Sequence, residues 1–419
     1  MMTKERVLIF LPCLTLGGAE KQGALLGRFM QSVGCSVEVW GFPSPASSGS
    51  LKPLLDSWGI PSREIAAWPD FQWHSANASW PRHHVEKYWN WPKQLRAYES
   101  VLPAGEFDAI VPFTFWPSLV CSVLPRRLKA RNVIWNHRGG VDDAGMSYTP
   151  LLREQVLRRE PQFVANSTAG AQFLRQTFLL QPDGVQVIRN AYAPELQEDE
   201  SASSARTRKS KAVVDLLHVA NFFPEKDADT VLDAMHLLRA DGLDCRLHLV
   251  GTFLTRSDKE HVQRRLGELD IQNCVVLHGG LDQRQIGRLT RDADIGLLSS
   301  KSEGMPNSVM EYMYSGLPVI ATDIPGIREV VGEANHQWLF PVGDAIRLKE
   351  LVQVLAANAT LRSDRGAANR ERIISEFAVS RIMPLWLEVC GVSPTADADP
   401  ALVSGNVRRE HSVRDGGSS

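Results

Sequence analysis

Cysteine is scarce in this chain and follows no pattern. Cys13, Cys35, Cys121, Cys245, Cys274 and Cys390 are scattered over 419 residues, with no paired spacing that suits a zinc site or a disulfide framework. Those inside apolar runs, as Cys121 is in "SLVCSVL", fit buried thiols in a reducing compartment. An excess of charge is also missing. Lys plus Arg number 46 and Asp plus Glu 48, so no general basicity points to nucleic acid, and no nucleic-acid partner is expected. No apolar run reaches the ~18 residues of a membrane-spanning helix. The opening "RVLIFLPCLTL" leads straight into a Gly-Gly turn and not a cleavage site, so no secretory leader is expected. These absences favour a cytoplasmic location.

What is present is globular: 43% of residues are hydrophobic and 22% charged. The length predicts two domains of roughly 200 residues each. Short apolar runs at 6–12, 36–42, 108–113, 132–137, 162–167 and 185–190 read as strands, with amphipathic helical patterns between them, such as 19–34 and 168–180. Continuous apolar strands separated by helices imply a parallel sheet covered on both faces. The alternation stops at "PELQEDESASSARTRKSKA" (194–212), a charged and Ser-rich stretch that reads as a linker. It resumes with strand candidates at 213–220, 245–251, 274–280, 293–300 and 318–323. The expectation is a first domain over 1–193, a linker over 194–212 and a second domain over 213–380. The last 26 residues, 394–419, read as a disordered tail. Ligands of such sheets bind beyond the carboxyl ends of the strands, which directs attention to a cleft between the domains.

One stretch carries most of the chemistry. In "SKSEGMPNSVMEYMYSGLPVIATDIPGIREVV" (300–331), a strand passes through "SEGMPN" into a helix, and Glu311 sits there among apolar neighbours. A carboxylate is seldom buried without a partner. The sequence predicts a helix capped by Asn307 or Ser308 and closed by Gly316. Glu303 then lies on the loop at the strand's carboxyl end, and Glu311 about one turn into the helix. The backbone N–H groups between them suit a phosphate, and each carboxylate suits a vicinal diol. Diol, phosphate and diol together describe a nucleotide sugar.

This stretch resembles the signature of the family 4 retaining glycosyltransferases: Glu303, seven residues, Glu311, then "SGLPVIATDIPGIREVV". The resemblance extends to "LTLGGAEKQ" (14–22), "NVIWNHRGG" (132–140), "FVANSTAGAQFL" (163–174), "VQVIRNAYAP" (185–194) and "LLHVANFFPEKDADTVLDAM" (216–235). It implies a GT-B fold: two Rossmann-like parallel-sheet domains facing a central cleft, with the helix at 381–393 crossing back to the first. It further implies that Glu303 holds donor-sugar hydroxyls, that Gly304, Met305, Pro306, Asn307 and Ser308 lie along sugar and phosphates, and that Glu311 binds the ribose diol. By the same resemblance His137 contacts the reaction centre, Lys226 the diphosphate, and Gly17 and Gly18 let the backbone approach it. Where the family usually has an Arg five residues before that Lys, this chain has Asn221. Arg138 and the helix N-terminus are further sources of positive field.

The implied activity is transfer of a hexose, with retention, from a UDP- or GDP-sugar to a glycan or lipid-linked acceptor in polysaccharide or glycolipid synthesis. No metal or other cofactor is expected. A nucleotide-sugar epimerase and a non-catalytic nucleotide-sugar-binding protein stay open as alternatives. The segment "WPDFQWHSANASWPRHHVEKYWNWPKQLR" (68–96) holds five of the eleven Trp residues. It reads either as an acceptor- or membrane-contacting element, peripheral to an inner membrane face, or as a loop packed on its own aromatics.

Overall fold

The computed structural model describes residues 4–43, 49–65, 99, 102–123, 127–140, 150–193, 213–253, 255–395 and 398. The Trp-rich segment 68–96, the linker 194–212 and nearly all of 394–419 lie outside the described residues.

The first sheet contains β1 (Arg6–Leu11), β2 (Ser36–Gly41), β3 (Ser62–Glu64), β4 (Gly105–Pro112), β5 (Leu128–His137), β6 (Gln162–Ala165) and β7 (Gln186–Val187), in the order β3-β2-β1-β4-β5-β6-β7. The second contains β8 (Val214–Val219), β9 (Cys245–Val250), β10 (Val275–Gly279), β11 (Ile295–Leu298), β12 (Val319–Thr322) and β13 (Leu339–Phe340), in the order β10-β9-β8-β11-β12-β13. Each strand pairs in parallel with its neighbours. Both sheets therefore run outward from their first strand in one direction and then in the other. Such a reversal opens a crevice at the carboxyl ends of the two central strands: β1 and β4 in the first domain, β8 and β11 in the second.

The strands read as apolar runs because both of their faces are buried. Val7, Ile9 and Leu11 of β1 enter one core and Leu8 and Phe10 another, while in β8 Leu216 and Leu217 likewise divide between two. The helices that cover these faces are α1 (Gly18–Ser32), α2 (Lys52–Ser57), α3 (Phe115–Val123), α4 (Pro150–Leu157) and α5 (Thr168–Phe178) in the first domain. In the second they are α6 (Ala228–Ala240), α7 (Arg256–Glu268), α8 (Gln283–Asp292), α9 (Asn307–Tyr314), α10 (Pro325–Val331), α11 (Ala345–Ala357) and α12 (Ala359–Glu376). The short α13 (Val379–Ile382) and α14 (Leu385–Cys390) follow.

One departure from the sequence reading has a physical cause. The expected strand 185–190 narrows to the two residues of β7. Beyond Ile188, whose N–H still reaches Ala165 O, the chain leaves the ladder to pair with other elements. Ala191 exchanges both backbone groups with the Gln22 side chain, and Tyr192 N donates to Phe377 O at 2.7 Å. The outgoing passage thus lies beside the returning one. After Phe377, Ile382, Met383, Trp386, Val389, Cys390 and Val392 join the core of the first domain. Trp386, 1% exposed, stacks on Phe113 at the end of β4, and Asn132 of β5 donates to Cys390 O.

Candidate functional site

The loops that leave β8 and β11 meet beyond the switch point of the second sheet. β11 is buried throughout, and Ser299 and Ser300 continue it without exposure. Ser299 Oγ donates to the carbonyls of Lys226 and Asp227, fixing the turn Pro224–Lys226 that follows β8. Lys226 Nζ lies 2.5 Å from Glu303 Oε1, which also accepts from Ser300 Oγ at 2.7 Å. Both side chains are largely buried, at 24% and 14% exposure. Glu303 is thereby held at the strand's carboxyl end by a cation from the neighbouring loop.

Glu311, on α9, is not the solitary carboxylate its sequence neighbours suggest. Its Oε1 accepts from Lys21 Nζ at 3.1 Å and from Gln283 Nε2 at 3.4 Å, and Lys21 Nζ also donates to Gln283 Oε1. Lys21 belongs to α1 of the first domain, so the pair spans the cleft. These three side chains, with Gln22, Tyr192 and Asn307, line a small cavity between the domains.

The start of α9 differs from the expectation. Pro306 occupies the N-cap position, helical residues begin at Asn307, and no side chain caps the helix. The Asn307 amide is engaged elsewhere. Its Nδ2 donates to Gly18 O at 2.9 Å, and its Oδ1 accepts from Asn190 Nδ2 at 2.8 Å. Asn190 also donates from Nδ2 to Met305 O and from its backbone N to Met305 Sδ. Met305 is buried and Ser308 half-buried. The residues from Gly304 to Ser308 are therefore fixed as much by the first domain as by the second.

Gly304 permits this closeness. A Cβ on Gly304 would stand 2.5 Å from Gly139 O and 2.7 Å from Arg138 O, so only glycine allows the loop to rest on the end of β5. Gly17 is the N-cap of α1, and a Cβ there would stand 2.2 Å from Glu20 Oε2. Glu20 folds back over the turn, and burial raises its carboxyl pKa. Gly18 follows as the first helical residue and meets Asn307.

His137 ends β5 and is 5% exposed. Its ring lies 5.1 Å from that of Phe173, and its Nε2 is buried with no hydrogen-bond partner among the described residues. Burial lowers its pKa to about 4, although backbone contacts with Gly140 and Gly139 favour the charged form, so the imidazole is neutral at pH 7. Next to it, Arg138 donates to Ile188 O and Asn190 Oδ1, and its guanidinium lies over the rings of Phe113 and Trp386. Burial lowers the Arg138 pKa to about 9.

Asn221 is placed differently from Lys226. Its Oδ1 accepts from Thr252 N at 3.0 Å and Thr252 Oγ1 at 2.9 Å, and the residue is exposed. Its carbonyl ties the loop after β8 to the loop after β9. The structure thus brings Glu303, Lys226, Glu311, Asn307, Gly18 and Gly304 to one cleft. Lys21, Gln283 and Asn190 also belong to it; Lys21 and Asn190 lie in stretches that carry the resemblance, but the sequence singled out none of the three as a site residue. Lys21 and Glu311 are 290 residues apart, and only the fold joins them.

Residues 199–372 match the model of the glycosyl transferases group 1 family. Among curated proteins, the amylovoran biosynthesis glycosyltransferase AmsK of Erwinia amylovora is 32% identical over 161 residues, covering 37% of each chain. The putative colanic acid biosynthesis glycosyltransferase WcaL of Escherichia coli is 27% identical over 190 residues, 43% of this chain and 45% of that one. The matched region thus spans less than half the length of these relatives. Among solved structures, Anabaena HepE in complex with UDP and glucose superposes with a TM-score of 0.65 at 18% identity, covering 92% of this chain and 99% of that one. TarM of S. aureus, in a complex that includes UDP, gives 0.67 at 11% identity, covering 92% and 99%. The two parallel-sheet domains are those of a GT-B fold.

Proposed function

From the premise that a group 1 glycosyl transferase match covers residues 199–372 of a GT-B fold, we propose that this chain transfers a hexose from a UDP- or GDP-sugar to a glycan or lipid-linked acceptor. The transfer proceeds with retention of configuration and without a metal ion, in polysaccharide or glycolipid synthesis. One observation carries this reading: Glu303 and Glu311 face the same cleft from the two ends of one loop–helix unit, each beside a lysine from a different element. Hydroxyl acceptors and cations alternate there as a sugar, a diphosphate and a ribose require.

In this mechanism Glu303 orients the sugar through its hydroxyls. The amide groups at the start of α9 and the ammonium of Lys226 stabilise the charge that develops on the departing diphosphate. The acceptor hydroxyl attacks the anomeric carbon on the face from which the diphosphate leaves; the bond to the diphosphate oxygen breaks as the new one forms, and the hydroxyl proton passes to that departing oxygen. Neutral His137 presents beside that centre a buried nitrogen without a partner among the described residues, and it serves as a hydrogen-bond partner for the sugar. The Trp-rich segment 68–96, outside the described residues, is proposed for acceptor or membrane contact on its composition alone.

The test is a thermal-shift screen against UDP-, GDP-, ADP- and dTDP-sugars, since a ligand of the native state raises its stability. It is followed by transfer assays with the binding donor and assignment of the product anomer by NMR. The reading expects a shift with a UDP- or GDP-sugar and a retained anomeric configuration. It also expects a rate that survives EDTA. No shift with any donor, an inverted product, or loss of rate restored by Mg²⁺ would each count against the corresponding part. Tight donor binding without turnover would assign the chain to binding alone.

A further inference from the structure

Lys21 has no assigned part in the reaction proposed above, yet it makes the only side-chain ion pair to Glu311 among the described residues. Both side chains are largely buried, at 16% and 12% exposure. A ribose diol that grips both oxygens of the Glu311 carboxylate finds Oε2 open but competes at Oε1 with the Lys21 ammonium and Gln283. An ammonium displaced in that competition is a largely buried cation and requires another anion.

The geometry supplies one. α1 and α9 lie side by side at the cleft, with Gly18 against Asn307 and Lys21 against Glu311. Asn307 precedes Glu311 by four residues, one helical turn, so the two levels are about 6 Å apart along the axis. The level of Asn307 is the start of α9, where a diphosphate belongs, and the four-carbon stem of a lysine is flexible enough to move between the two. Among the described residues, the other nearby side chains leave the first domain without a second cation free to move. Lys226 acts from the second domain, where it also holds Glu303 and where Asn221 carries no charge; in the first domain Arg138 is tied to Ile188 O and Asn190 beneath the Phe113 and Trp386 rings.

We propose that Lys21 is the first domain's cation for the donor: it rests on Glu311 until ribose hydroxyls take that carboxylate, and then turns to the diphosphate. This rests on the donor site assigned above. It makes ribose recognition the event that delivers positive charge to the leaving group, and it supplies from α1 the charge that position 221 does not.

The experiment compares wild type, Lys21→Met and Lys21→Arg for binding of bare nucleosides (uridine, guanosine) and of UDP and GDP, by ligand-observed NMR and calorimetry. Removing the ammonium frees Glu311, so Lys21→Met should bind the nucleoside about 3- to 10-fold more tightly. It should bind the nucleoside diphosphate on the order of 10-fold more weakly, through loss of a charge-assisted contact. Lys21→Arg, which keeps the charge, should restore diphosphate affinity to within a few-fold of wild type. If nucleoside and diphosphate affinities of Lys21→Met move in the same direction, or neither moves, Lys21 is only a structural tie and the proposal is wrong. If wild type binds no nucleoside diphosphate at all, the donor site itself is misassigned and this proposal falls with it.

Discussion

Acidification should weaken the two domains through two separate histidines, and the structure sets the size of the effect. His137 of the first domain and His218 of the second are buried, and burial lowers the pKa of each from 6.5 to about 4. Between those values the unfolded chain binds a proton that the folded chain refuses. Stability is therefore retained above pH 6.5 and lost as pH falls toward 4. The full depression corresponds to about 3 kcal/mol per histidine, of which about 2 kcal/mol is lost between pH 7 and pH 5. The assay is urea unfolding at a series of pH values. Each domain is followed by its own probe, because two-domain chains need not unfold in one step. The slope of stability against pH in the first domain's transition should flatten in His137→Gln, and that of the second in His218→Gln, each leaving the other unchanged. Unaltered pH slopes in both variants would refute the reasoning, since the protons would then be taken up elsewhere.

Other expectations concern the cleft and the core. Glu311→Ala should mainly weaken nucleotide binding, whereas Glu303→Ala should mainly lower turnover, on the order of 10²-fold; wild-type affinity and rate in both would remove these residues from the site. Asn221→Arg loses the two bonds from Thr252, which should cost the second domain about 1 kcal/mol and reduce donor affinity. A tenfold gain in rate at unchanged affinity would show that the position merely lacks its charge. Trp386→Ala should destabilise the first domain by about 3–5 kcal/mol and leave the second's transition in place; a loss confined to the second domain would contradict the packing described.

Much of this architecture could be read before any coordinates because parallel strands buried on both faces announce themselves as short apolar runs. β1, β8 and β11 fall within a residue or two of the expected limits. β3 and β13, with three and two residues, are too short for any period to show. The helix carrying Glu311 was legible from its loop and its closing glycine, but its N-cap was not. Asn307 has a strong intrinsic preference for capping, yet its amide is drawn to Gly18 and Asn190 across the cleft. Glu311 illustrates the same limit. Its burial could be inferred from Val309, Met310, Tyr312 and Met313, whereas its partner Lys21 lies in the other domain, beyond the reach of any local pattern. Asn221 presented a missing charge in the sequence; the structure adds the tie to Thr252 that its shorter side chain makes instead.

The return of the chain to the first domain has a consequence for how the protein is made. Residues 382–392 complete a core whose other members lie within 7–193, so that core stays unfinished until the last helix leaves the ribosome. The roughly 190 residues between Ala193 and Ile382 take on the order of 10–40 s to synthesise at ~5–20 residues per second. For that interval Phe113 and the groups around it face the seat that Trp386 will fill. The second domain has no such debt to later sequence: the buried residues of its two cores lie between Tyr192 and Phe377. It can therefore close while the first still waits. The domain that leaves the ribosome first is the one finished last, and during that wait its apolar seat is the surface open to a holding chaperone.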